Sequence, residues 1–96
     1  MKIKSDFITN SSSASFMILK ENLSYLQMAL IFDHIEVGMI LANKYKYDVY
    51  PDQWKISETE TEIKGHTSMD NFDMWWYLEK IGVRREHVEY DSSNDW

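Results

Sequence analysis

The chain has 96 residues, enough for one domain, and its 44% hydrophobic and 15% aromatic content predicts a packed core and excludes wholesale disorder. A formal net charge of −6, with no basic cluster beyond the pair Arg84 and Arg85, disfavours nucleic-acid phosphates. The absence of Cys excludes disulfides, thiolate zinc sites and cysteine nucleophiles.

Residues 1–6 lack the apolar stretch of a signal peptide. The longest apolar runs are interrupted by Asp33, His34 and Glu36 and are too short to span a bilayer. The expectation is a soluble cytoplasmic protein, with no membrane partner.

Residues 9–15 read TNSSSAS. Their hydroxyls compete for backbone groups and favour turns, so 1–15 is expected to be a Ser-rich leader or loop. Phe16, Met17, Ile18 and Leu19 form a short apolar run, expected as a buried strand opening a single domain over 16–90. Asn22 is the expected N-cap of a first helix over 23–34. On a helical wheel Tyr25, Met28, Ala29 and Phe32 share one side, while Leu23, Leu26 and Leu30 spread around another. A helix apolar nearly all round is covered on more than one side, by another element or by an oligomer interface.

Over 36–43 Gly38 weakens a continued helix and Val37, Ile40 and Leu41 allow a strand, but a second helical stretch is the expected reading, broken near Gly38 and ending near Asn43 in the left-handed position. Tyr45, Tyr47 and Val49 alternate with Lys44, Lys46 and Asp48, which predicts a half-buried strand. Pro51 and Asp52 read as a turn. Trp54 and Ile56 begin the next strand. Glu58, Glu60 and Glu62 read as one solvated strand face. Because Trp54 and Ile56 share parity with these glutamates, a bulge or tight turn must switch the buried face over 58–61. The last helix is expected to start at an Asp70 cap, with Asp73 favouring its positive end, and to stop at Gly82. Val88 and Tyr90 suggest a final strand, and 91–96 a polar tail.

The last helix carries the functional lead. Met74, Trp75, Leu78 and Ile81 fall on one stripe, with Tyr77 at its edge, and this is the expected core face. Phe72 and Trp76 lie four apart on the opposite side, with Met69 just before them. One sheet cannot bury both stripes. Either the Ser-rich leader or the Pro51 turn folds over the outer pair, or the pair docks a partner. In the docking reading Met69, Phe72 and Trp76 form an apolar anchor, and Asp70, Asp73 and Glu79 its polar rim.

Signals for chemistry are sparse. His34, His66 and His87 show no helical zinc spacing, and Asp70 and Asp73 near His66 are already explained by helix capping. Ser11, Ser12, Ser13 and Ser15 lack a nucleophile-elbow pattern, and three glycines cannot build a phosphate loop. No catalytic residue, metal ligand or cofactor is expected.

Residues 5–16, SDFITNSSSASF, resemble an N-terminal signature of many small uncharacterised proteins of bacteria and their phages. Residues 68–83, SMDNFDMWWYLEKIGV, resemble a segment that recurs in such proteins. The resemblance implies a bacterial or phage source and an intracellular setting, and it carries no catalytic residues with it.

The expected fold is therefore a single α+β domain with an antiparallel sheet and two main helices, in a ferredoxin-like βαββαβ order. A meander packed on two helices is the alternative. The expected function is non-enzymatic binding of a protein, in the form of a phage-encoded inhibitor of a basic host protein. Alternatives are self-association through the first helix, or a small-ligand or metal-dependent activity around His66 and Asp70.

Overall fold

The computed structural model describes residues 13–68 and 71–92. Among them four strands form one antiparallel sheet: β1 (Ala14–Leu19), β2 (Lys55–Glu58), β3 (Glu62–Thr67) and β4 (Val88–Ser92), in the order β2-β3-β1-β4. Three helices pack on it: α1 (Tyr25–Phe32), α2 (His34–Tyr45) and α3 (Met74–Lys80). The expected α+β class holds. The strand order suggests the ferredoxin-like arrangement, with α1 and α2 together standing between β1 and β2.

The apolar run 16–19 forms the second part of β1, an interior strand as its composition predicts, but it is buried on one face only. Ala14, Phe16 and Ile18 point into the core, while Ser15 and Met17 face outward. Ile63 and Thr67 of β3 are buried on the same side as Phe16. The core is completed by Ile31, Trp54, Phe72, Met74, Tyr77, Leu78 and Val83.

The helical stretch from 25 to 45 breaks at Asp33, not at Gly38, and the two helices bend by 92°. Ser24, not Asn22, caps α1. Its hydroxyl accepts from the Gln27 N–H, and the Gln27 side chain accepts from the Ser24 N–H. This reciprocal pair satisfies two orphan donors of the first turn. Gly38 sits inside α2 for a packing reason. A Cβ there would run into the ring of Phe72. The helix continues past Asn43, and Lys46 takes the left-handed position at φ 55°. The N–H groups of Lys46 and Tyr47 close the end on the carbonyls of Asn43 and Ala42.

The strand expected around Tyr45, Tyr47 and Val49 does not form; Tyr45 ends α2 and 47–54 is irregular. The phase switch over 58–61 is a tight turn. The Thr59 N–H donates to the Glu62 carbonyl, and the Thr59 hydroxyl accepts from the N–H groups of Thr61 and Glu62. Glu58 ends β2, Glu60 lies in the turn and Glu62 begins β3, so the three acids do not share one strand face. Glu58 pairs instead with Lys20 at 2.6 Å.

α3 starts later than expected. Asp73 is its N-cap, accepting from the Trp76 N–H at 3.0 Å, while Asp70 lies outside the described residues. The stop at Gly82 is as expected. Gly82 has φ 91°, its N–H bonds the Glu79 carbonyl, and the Val83 N–H bonds the Leu78 carbonyl. Leu78 and Val83 are both buried, completing the hydrophobic contact of this cap.

Candidate protein interface

The expected anchor is not an open surface. Phe72 precedes α3 and does not follow its wheel. It turns inward to 0% exposure, against His34 and Tyr77 and over Gly38. This corrects its expected role, because a fully sealed ring cannot dock a partner. Trp76 is half-buried. The Tyr47 ring stacks on it at 4.5 Å and 11°, and Tyr45 meets it edge-on at 6.5 Å. Among the described residues the cover comes from Tyr45 at the end of α2 and Tyr47 just past it, not from the Pro51 turn, and residues 1–12 of the leader lie outside the described residues.

Asp73 is likewise occupied within the fold. Besides capping α3 it accepts the Tyr47 hydroxyl, and this bond is the main reason the Tyr47 phenol titrates above its ordinary value. Glu79 is exposed on α3. Met69 and Asp70 lie outside the described residues. The six expected interface residues therefore do not assemble into one exposed patch among the described residues.

The apolar surplus surfaces elsewhere. α1 carries no charged residue, and Ile31 is its one fully buried side chain. Tyr25 is 90% exposed and Leu26 68%, with Ala29 and Phe32 exposed beside them. Tyr25, Ala29 and Phe32 are spaced i, i+4, i+7, so they form a single outward stripe, and Leu26 flanks it. On the other flank, Leu23, Met28, Ala29 and Phe32 line an open groove, with the Lys20–Glu58 pair at its edge. Beyond the bend, Ile40 of α2 is also well exposed. The signal was present in the sequence as a helix apolar nearly all round. What the sequence lacked was which side the sheet would leave bare.

α1 is held firmly from behind. The Gln27 side chain donates to the Ile81 carbonyl at 3.2 Å, and the buried Tyr77 hydroxyl donates to the Leu30 carbonyl at 2.6 Å. Burial raises the Tyr77 phenol well above its ordinary value, so it stays a donor. At the bend, His34 is fully buried. Its Nδ1 lies 2.9 Å from the Ile31 carbonyl, and its Nε2 accepts the Trp54 N–H at 2.9 Å. A ring that donates at one nitrogen and accepts at the other is neutral. Burial holds its pKa down, opposed by the bond to Ile31. The helix is thus a rigid presenting element, fixed at both ends and apolar outward.

The far side of the sheet is polar. Lys55, His66, Ser15 and Asp91 stand in register across the four strands, and Ser57, Lys64, Met17 and Glu89 form the next row. A charge relay needs imidazole between hydroxyl and carboxylate. Here Ser15 lies between His66 and Asp91, so the row lacks that order. Among the described residues no group of three or more His, Asp or Glu side chains could hold a metal ion. No single described helix is long and apolar enough to cross a membrane. The chain matches no protein-family model, and no curated protein or solved structure is significantly similar to it.

Proposed function

We propose that the protein is a non-enzymatic binding module that docks another polypeptide on the outward face of α1. The observation that carries this reading is the uncharged stripe of Tyr25, Leu26, Ala29 and Phe32, left bare on a helix anchored from behind. Exposed large apolar side chains that adjoin one another usually mark an interaction site. A tyrosine that holds its ring in water gains most from being covered, because it brings large area at low entropy cost. The expected docking site on α3 gives way to this one. A cytoplasmic setting and a role as a phage-encoded inhibitor of a host protein belong to the same proposal. They rest on the resemblance of residues 5–16 to small bacterial and phage proteins.

The test compares capture from bacterial extract by the immobilised wild type and by a Tyr25→Ser, Leu26→Ser double variant. Both side chains are exposed, so the variant should keep its far-ultraviolet circular dichroism. A partner retained by the wild type should be lost at least tenfold by the variant. Equal retention would remove α1 as the docking surface.

A further inference from the structure

We propose that the bare face of the sheet holds a short zwitterionic peptide, two or three residues long with both ends free. Its carboxylate meets β2 and β3, and its ammonium meets β4. This goes beyond the docking reading of α1, which buries Ile31 against the other face of the sheet.

Register sorts the charges of this face by strand. In one row Lys55 of β2 and His66 of β3 stand on one side of Ser15, and Asp91 of β4 on the other. In the next row Ser57 and Lys64 stand on one side of Met17, and Glu89 on the other. Both rows run the same way, so the cationic and imidazole groups gather on β2 and β3 and the carboxylates on β4. Between them β1 carries no charge. Ser15 and Met17 are half-buried, whereas Lys55, Lys64, His66, Glu89 and Asp91 are exposed. The neutral strand is thus the floor of a trough, and the charged side chains are its walls. A cavity of about 550 Å³ lies there, lined by both walls and the floor, within the ordinary size of a small-ligand site.

Opposite charges set directly across adjacent strands pair and stabilise a sheet. This face forgoes that arrangement. β3 and β4 are two strand spacings apart, about 9–10 Å. Among the described residues the one ion pair on this face is Lys64 with Glu62, within β3 at 3.5 Å. Glu62 lies beyond the two rows, opposite Leu19. Lys55, Glu89 and Asp91 form no ion pair among the described residues. The walls therefore hold opposite charges apart, with room between them for a molecule that carries both.

The spacing sets the length of that molecule. An extended chain spans about 3.3 Å per residue, so two or three residues carry their end charges roughly 7–10 Å apart. That matches the gap between the walls, and a free amino acid is too short to meet both. The floor suits a peptide backbone. The Ser15 hydroxyl can donate to or accept from a peptide group, and Met17 offers a soft apolar surface beside it. Net charge narrows the choice further. The acidic wall and the chain's net −6 repel an anion, and the basic wall repels a cation. A second copy of this chain brings its own net −6, whereas a zwitterion brings none. Each contact is a solvent-exposed ion pair, so binding is weak, with Kd on the order of 1 mM.

The experiment titrates the full chain with triglycine and follows backbone amide shifts by NMR. Saturable shifts are expected at Ser15, Met17, Lys64, His66, Glu89 and Asp91, weakening as salt rises. N-acetyltriglycine, triglycine amide and glycine should each bind at least fivefold more weakly than triglycine. Glu89→Gln with Asp91→Asn should weaken triglycine at least fivefold yet leave N-acetyltriglycine unchanged, because that ligand has no ammonium to lose. Lys55→Gln with Lys64→Gln should weaken triglycine equally and leave the amide unchanged. All four side chains are exposed, so both variants should keep the wild-type shifts of the core. Absence of a saturable shift up to about 50 mM triglycine overturns the site. So does equal binding of the free and blocked peptides, or a set of shifts centred elsewhere. Shifts at the same residues that follow protein concentration with no peptide present would give the face to a second copy and overturn the proposal too.

Discussion

His34 Nε2 accepts the backbone N–H of Trp54 at 2.9 Å, across the gap between the bend of the two helices and the chain entering β2. The other ring nitrogen meets the Ile31 carbonyl, and the Trp54 indole N–H donates onward to the Phe72 carbonyl at 3.0 Å. One imidazole and one indole thus join α1, α2, β2 and the approach to α3.

That join makes stability sensitive to acid. The folded pKa of His34 lies below its ordinary 6.5, with burial the main cause. The unfolded chain therefore binds a proton that the folded one refuses, and stability rises with pH across that interval. The contribution is complete above about 6.5 and is lost as pH falls below it, by at most about 1.4 kcal/mol per pH unit for one proton. Urea unfolding of the wild type between pH 7.5 and 5 should show the loss. In His34→Ala the slope from this group should vanish. Stability at pH 7.5 should also drop by roughly 2–6 kcal/mol, as the Ile31 carbonyl and Trp54 N–H are left unpaired at about 1–3 kcal/mol each.

Gly38 should reject a methyl group. Ala favours a helix over Gly by about 1 kcal/mol, so substitution at an open position would stabilise. Here the added carbon meets the edge of the Phe72 ring, which is itself fully packed. Overpacking of this kind costs about 1–3 kcal/mol, so Gly38→Ala should destabilise on balance. Gly38→Ala with Phe72→Leu should recover part of the loss, read by thermal unfolding.

Lys46 should accept glycine. It holds φ 55° at the end of α2, where a non-glycine residue is strained by roughly 1–2 kcal/mol. The greater freedom of Gly in the unfolded chain offsets about 0.5–1 kcal/mol of that. Lys46→Gly should therefore raise the midpoint of urea unfolding, by the equivalent of about 1 kcal/mol or less. A fall in the midpoint would mean that the Lys side chain contributes more than its exposure suggests.

Three apolar truncations should separate core from surface. Phe72→Ala empties a sealed site and should cost about 3–5 kcal/mol. Trp76→Ala removes a half-buried ring and its stack on Tyr47, so a smaller loss is expected. Leu26→Ser touches little and should lie within about 0.5 kcal/mol of the wild type. If Phe72→Ala proved neutral and Leu26→Ser damaging in urea titrations, the assignment of the two surfaces would be reversed.

Local physics was legible without coordinates. The apolar run at 16–19 could only be a strand or a short buried segment. Gly82 could only end a helix. The parity conflict between Trp54 and the glutamates required a turn or a bulge. Each of these depends on neighbours in sequence, through backbone sterics or a period of two or 3.6. The all-apolar character of α1 belongs here too, because it follows from composition alone.

Which apolar face stays bare was decided by tertiary structure. Phe72 and Trp76 looked like an outer pair because the helix was expected to begin at residue 70. It begins at Met74, and a side chain ahead of the first turn is free to fold under it. Tyr47 looked like a strand residue, and it became the cover of Trp76 because α2 runs on to Tyr45 and Lys46 turns the chain back. Only so much apolar area fits against one sheet of four short strands. The allotment went to Phe72, Met74, Tyr77 and Leu78 from the α3 end and to Ile31 from α1, so Tyr25 and Leu26 were left facing water.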